Sequence, residues 1–251
     1  MFAPAGKYEA CGLFTIQHFL ALLICLICVV IMTLISIKLS KERFILITRI
    51  SAIVITVLEV VKIIFNLYYN RYAPINDWLP FHYCSLFIYS LWLSGYCKGT
   101  LKKIGDSFLI GGGVIAGSVF LVIPSTSLRL FPIFHFQCLY SLLFHSLFLY
   151  FGLVFLIKNY FILTLKNYLY YFTFCTFFCA IAIILNIIYQ SNFMFLDNPW
   201  GIPIPFLSKI EQNYKFLYII IIYLAYTVGT YFTMMLIQKV LRKLTKEKNY
   251  A

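Results

Sequence analysis

Seven continuous apolar runs govern what this chain can become. They lie at about residues 12 to 37, 44 to 69, 80 to 97, 104 to 123, 134 to 157, 168 to 189 and 216 to 238. Crossing a hydrocarbon core of about 30 Å takes roughly 20 helical residues, so each run is of spanning length. Barrel strands would alternate polar and apolar over about ten residues, which these runs do not do. Composition agrees, because only 11% of the 251 residues are charged, whereas ordinary globular domains carry roughly 25%. Twenty-eight charged side chains cannot clothe a soluble domain of this size, so lipid must supply the rest of the solvent. The expected fold is all-α: a polytopic helical membrane protein with seven transmembrane helices, forming a single domain over residues 1–251. Lys7 is accompanied by Glu9, and the first run continues past Ile37, unlike a secretory signal, so span 1 is expected to stay in the mature protein.

Lys and Arg assign the two sides. Fourteen of them (Lys38, Lys41, Arg43, Arg49, Lys98, Lys102, Lys103, Lys158, Lys166, Lys239, Arg242, Lys243, Lys246 and Lys248) follow or flank the ends of spans 1, 3, 5 and 7. Five (Lys7, Arg71, Arg129, Lys209 and Lys215) lie at the N-terminus or after spans 2, 4 and 6. The positive-inside rule then predicts an outside N-terminus, a cytoplasmic C-terminus and a basic cytoplasmic tail over 239–251. The net charge of +12 is thereby explained by orientation in the cell membrane and attraction to anionic lipid, with no nucleic-acid partner. All eight prolines (Pro4, Pro74, Pro80, Pro124, Pro132, Pro199, Pro203 and Pro205) fall in the predicted outer segments, which read as shaped loops. Trp78 and Trp200 mark the same boundary.

The eight cysteines lie mostly within spans, where free thiols pack as small hydrophobes, and the Cys25 and Cys28 pair lacks a second pair for zinc. No metal and no cofactor is expected. Ionisable groups inside a span need a partner or a purpose. Span 2 carries Glu59, Lys62 and Asn66 at i, i+3 and i+7, on one helical stripe. They read equally as a neutralising pair that fixes packing or as a headgroup or proton site. Span 5 carries His135, Cys138, Ser141 and His145 on a second stripe, with His145 the deep member, about 15 Å from His135 along the axis. Span 3 opens Leu79-Pro80-Phe81-His82-Tyr83-Cys84-Ser85-Leu86. Pro80 suits a first helical position, which would set Cys84 in the first turns, where the macrodipole favours a thiolate. His82 and Cys84 would then stand about 200° apart on the helix. A base for Cys84 would therefore come from span 5, from His145 or His135. Gly113 and Gly117 in span 4 have the spacing of close helix packing.

The segments LPFHYCSL (79–86), FPIFHFQCLYSLLFHSL (131–147) and SNFMFLDNPW (191–200) resemble, in order, three motif blocks of the YwaF family of bacterial integral membrane proteins. That family is similar to the eukaryotic transmembrane protein 164 group, which moves acyl chains between phospholipids through a cysteine nucleophile and a histidine partner. It is more remotely similar to membrane hydrolases of fatty-acid esters of hydroxy fatty acids. The resemblance implies a lipid acyltransferase or lipid-ester hydrolase with Cys84 as nucleophile, His145 as base and Asn192 as an orienting amide. The middle block holds both His135 and His145, so either could be the partner. Membrane lipids are the expected ligands, with His82, His135, Asn192, Glu59, Lys62 and Asn66 as candidate binding groups. The alternative is a transporter or binding protein for a small solute or lipid, using the Glu59, Lys62 and Asn66 stripe.

Overall fold

A computed structural model of the chain describes residues 2–69, 75, 78–124, 126–199 and 204–248. Arg71, Pro74, Trp200 and Pro203 lie outside the described residues. Among those described there are helices and no strands. The helices are α1 (Ile16–Ser36), α2 (Lys41–Tyr69), α3 (Leu86–Tyr96), α4 (Gly99–Val122), α5 (Phe136–Lys158), α6 (Tyr168–Tyr189), α7 (Pro205–Asn213), α8 (Lys215–Leu224) and α9 (Thr230–Lys248). Six segments are long and apolar enough to cross a membrane: α1, α2, α4, α5, α6 and the continuous rod of α8 and α9.

The third expected span is shorter than its apolar run. Helix α3 has 11 residues, about 16 Å of rise, and begins at Leu86 rather than at Pro80. Residues 82 to 85 form turns and bends, because the side chains of His82 and Tyr83 are held by distant partners described below. Cys84 therefore precedes the helix, and the expected 200° separation from His82 has no helix to act on. The seventh span is unbroken but carries a π-helical turn at Ala225–Gly229 between α8 and α9. Part of the basic tail is helical, because α9 runs on to Lys248.

Helices α4 and α5 form the centre. Gly113 and Gly117 let their backbones touch: a Cβ on Gly117 would stand 2.7 Å from Leu149 N and 2.9 Å from His145 O. Helices α3, α6 and α9 flank α4, α1 lies on α5, and α2 packs on α3 and α5. The outer faces of α1 and α2 expose Leu23, Ile27, Val57 and Ile64, as lipid-facing surfaces do. Buried tyrosine hydroxyls all need partners in such a core. Tyr150 meets Ser36 Oγ at 2.6 Å, and Tyr231 donates to Thr164 O at 2.8 Å. The basic helix ends converge: Lys158 donates to Ile37 O (2.9 Å), Arg49 to Gly95 O (2.7 Å) and Lys102 to Ser94 O (2.7 Å). Helix-end carbonyls lack intrahelical donors, and cations satisfy them here.

Candidate functional site

Two of the three sequence blocks meet in space. His82 Nδ1 accepts from Met194 N at 3.2 Å, across 112 residues of chain. Tyr83, next along, shares its hydroxyl with Tyr171 (2.5 Å) and Thr230 (3.3 Å), and its ring stacks on Tyr226 with centroids 4.4 Å apart. The π-helical turn frees the Tyr226 carbonyl, which accepts from Tyr171 (3.0 Å) and Thr230 (2.7 Å). Tyr226 in turn donates its own hydroxyl to Met194 O at 3.0 Å. Segment 82–85 is thus pinned by a tyrosine network on one side and by the 192–198 loop on the other.

Asn192 builds that loop. Its Nδ2 donates to Asn198 O and Oδ1, both at 2.9 Å, and its Oδ1 accepts from Asp197 N (3.0 Å) and Asn198 N (3.1 Å). These bonds hold Met194 and Phe195 in left-handed backbone (φ 57° and 53°), strained for residues with a Cβ. Strain of this kind persists only where the surroundings over-determine it. Asn192 thus organises the wall against His82.

The middle block separates its two histidines. His135 is the N-cap of α5 instead of its first helical residue: Nδ1 accepts from Gln137 N (3.1 Å), and Nε2 faces Ala3 O at 3.1 Å. Both of its nitrogens are committed to structure. His145 lies within α5, with Nδ1 2.8 Å from Ser141 O. A carbonyl can only accept, so that nitrogen carries the proton and Nε2 keeps its lone pair. Nε2 is buried and has no hydrogen-bond partner among the described residues. The ring is fixed by stacking on Phe120 at 3.5 Å.

Cys84 is a half-buried free thiol packed against the core. Its stretch of chain adjoins that of His145, since Phe87, three residues on, packs on Phe144 (5.3 Å) and Phe148 (4.7 Å) of α5. Among the described residues no hydrogen bond joins the Cys84 sulfur to an imidazole.

The span 2 stripe meets α5 as its spacing requires. Lys62 Nζ lies 2.6 Å from Glu59 Oε1, the Tyr140 hydroxyl donates to Glu59 Oε2, and Gln137 donates to Asn66 Oδ1 at 3.1 Å. Glu59 also lines a cavity of about 250 Å³ between α2 and the chain from Pro80 into α3. Among the described residues no cluster of His, Cys, Asp or Glu could hold a metal ion.

A family profile described as the TMEM164 family matches residues 13–236. The chain belongs to the TMEM164 family. No curated protein and no solved structure matches it. The matched region contains the candidate residues described above from Glu59 to Thr230. Residue spacing singles out none of Tyr83, Tyr140, Tyr171, Tyr226 and Thr230. The signal available was their depth: a hydroxyl inside an apolar run has no water to bond and must find a protein partner.

Proposed function

We propose that this protein transfers or hydrolyses lipid acyl esters in the cell membrane, with Cys84 as nucleophile and His145 as base. One observation carries the reading: His145 is held in the tautomer that leaves Nε2 an open, buried acceptor, whereas His135 is spent at both nitrogens. In the first step Nε2 takes the Cys84 proton as the sulfur bonds to the ester carbonyl carbon. The ester C–O bond then breaks, and the departing alkoxide receives that proton from His145. An acceptor hydroxyl or water, deprotonated by the same nitrogen, attacks the thioester and returns the proton to sulfur. The substrate complex must close the Cys84 to His145 distance, as apo sites often require. By the positive-inside rule the basic helix ends would face the cytoplasm, with all seven apolar runs within the membrane and the Cys84 segment and the 192–198 loop toward the outer leaflet.

The test is covalent trapping. In membranes carrying the full chain, Cys84→Ser is expected to abolish labelling by a fluorophosphonate or acyl-phosphonate probe. Cys138→Ser, which removes a thiol donating to Phe131 O at 3.5 Å, is expected to leave labelling intact. Equal labelling of the two variants sinks the assignment. A second reading, binding or transport of a small solute or lipid at the Glu59, Lys62 and Asn66 stripe, is supported by the cavity that Glu59 lines. Loss of flux in Glu59→Gln with probe labelling unchanged would favour it.

A further inference from the structure

The cavity beside Glu59 has walls, a floor and an entrance that point to one kind of occupant. Val60, Ile63, Pro80, Ile88 and Trp92 make the walls. Trp92 is fixed in place, its indole N–H donating to Thr56 Oγ1 at 2.9 Å while that hydroxyl donates to Ala52 O at 2.7 Å. The floor is the Glu59 carboxylate, buried at 5% exposure, paired with Lys62 and accepting a hydrogen bond from the Tyr140 hydroxyl. Val60, a lining residue, is an exposed apolar side chain on a spanning helix whose neighbouring Val57 and Ile64 are exposed as well, so the cleft opens sideways onto hydrocarbon and not onto water. Its volume of about 250 Å³ lies just below the roughly 300–1,000 Å³ of ordinary ligand pockets, which suits a narrow flexible chain better than a headgroup.

We propose that this cleft is an acyl-chain site: one fatty chain of a membrane lipid enters between α2 and α3 and ends its apolar course at the Glu59 and Lys62 pair. Lys62, the partner of that carboxylate, keeps 18% side-chain exposure. Pro80 joins the cleft to the segment carrying Cys84, and Ile88 lies four residues beyond that cysteine. Assigning the bound chain to a reacting lipid rests on the acyl-transfer reading. Binding of the chain does not.

The experiment reconstitutes the full chain in vesicles of phosphatidylcholine and phosphatidylglycerol doped with a phosphatidylcholine bearing a mid-chain diazirine. After photolysis, label is mapped by mass spectrometry. Residues 56–63 and 88–92 are expected to take severalfold more label than the α1 stretch around Leu23 and Ile27, which are 54% and 49% exposed. Val60→Trp and Ile63→Trp, which fill the cleft from its mouth and its wall, should each remove that excess. Labelling no higher than on α1, as bulk lipid or a covering second copy would give, overturns the proposal. So does an excess that survives both fillings. Cys84→Ser should retain the excess. In the unsubstituted chain, cleft labelling with no trapping by the phosphonate probe would remove the acyl-transfer reading and leave the lipid site standing.

Discussion

Hydrogen-bond direction gives each side chain of the site its role. His135 must remain neutral to cap α5, because a protonated Nδ1 cannot accept from Gln137 N. An unfolded imidazole gains its proton near pH 6.5, about the ordinary value, so a cap that needs the neutral ring loses stability as pH drops through that value. Thermal unfolding in detergent should show a lower midpoint at acidic than at neutral pH. His135→Asn, which keeps a capping oxygen but does not titrate, should flatten that dependence. Asn192→Ala removes an acceptor for two backbone N–H groups and a donor to Asn198. A loss of about 1–3 kcal/mol is expected, with proteolysis appearing first at 192–198. An unchanged cleavage pattern would show that other contacts hold the loop.

Among the helices, contact distance decides what each tolerates. Gly117→Val would drive a side chain into the backbone of α5 at Leu149 and His145, where nothing can rotate away. A cost of about 1–3 kcal/mol is expected, read as a lower unfolding midpoint. Gly229→Ala, whose Cβ would meet only Leu224 O at 3.8 Å, should stay within about 0.5 kcal/mol and serves as the control. Thr230→Val would strip the Tyr83 and Tyr171 hydroxyls of a shared partner at the π-helical turn, with an expected cost of about 1–3 kcal/mol. The α4 packing was legible as glycine spacing, and the Glu59 to Lys62 pair as helical spacing, because both follow from the periodicity of one helix. The late start of α3 was not, since Pro80 and the apolar residues after it satisfy every local rule for a helix. Bonds from Met194, Tyr171 and Thr230 hold His82 and Tyr83 outside it.

For the bundle taken entire, charge placement predicts sidedness. With the native cysteines replaced, a cysteine at Lys38 should react with a membrane-impermeant maleimide only from the cytoplasmic side, and one at Arg129 only from outside. The reverse pattern would invert the whole topology. Chain chemistry alone determined that this protein is helical and lives in lipid, because hydrocarbon offers no partner for a backbone amide and a long apolar run must satisfy its own. It also picked out Cys84, His145 and Glu59 as candidates, and the family resemblance added Asn192. Only the tertiary structure decided which histidine keeps an open nitrogen, where span 3 unwinds and where a cleft opens beside Glu59. Each of those depends on groups far apart in the chain, such as Ala3 with His135 or Met194 with His82, and no local pattern encodes such a meeting.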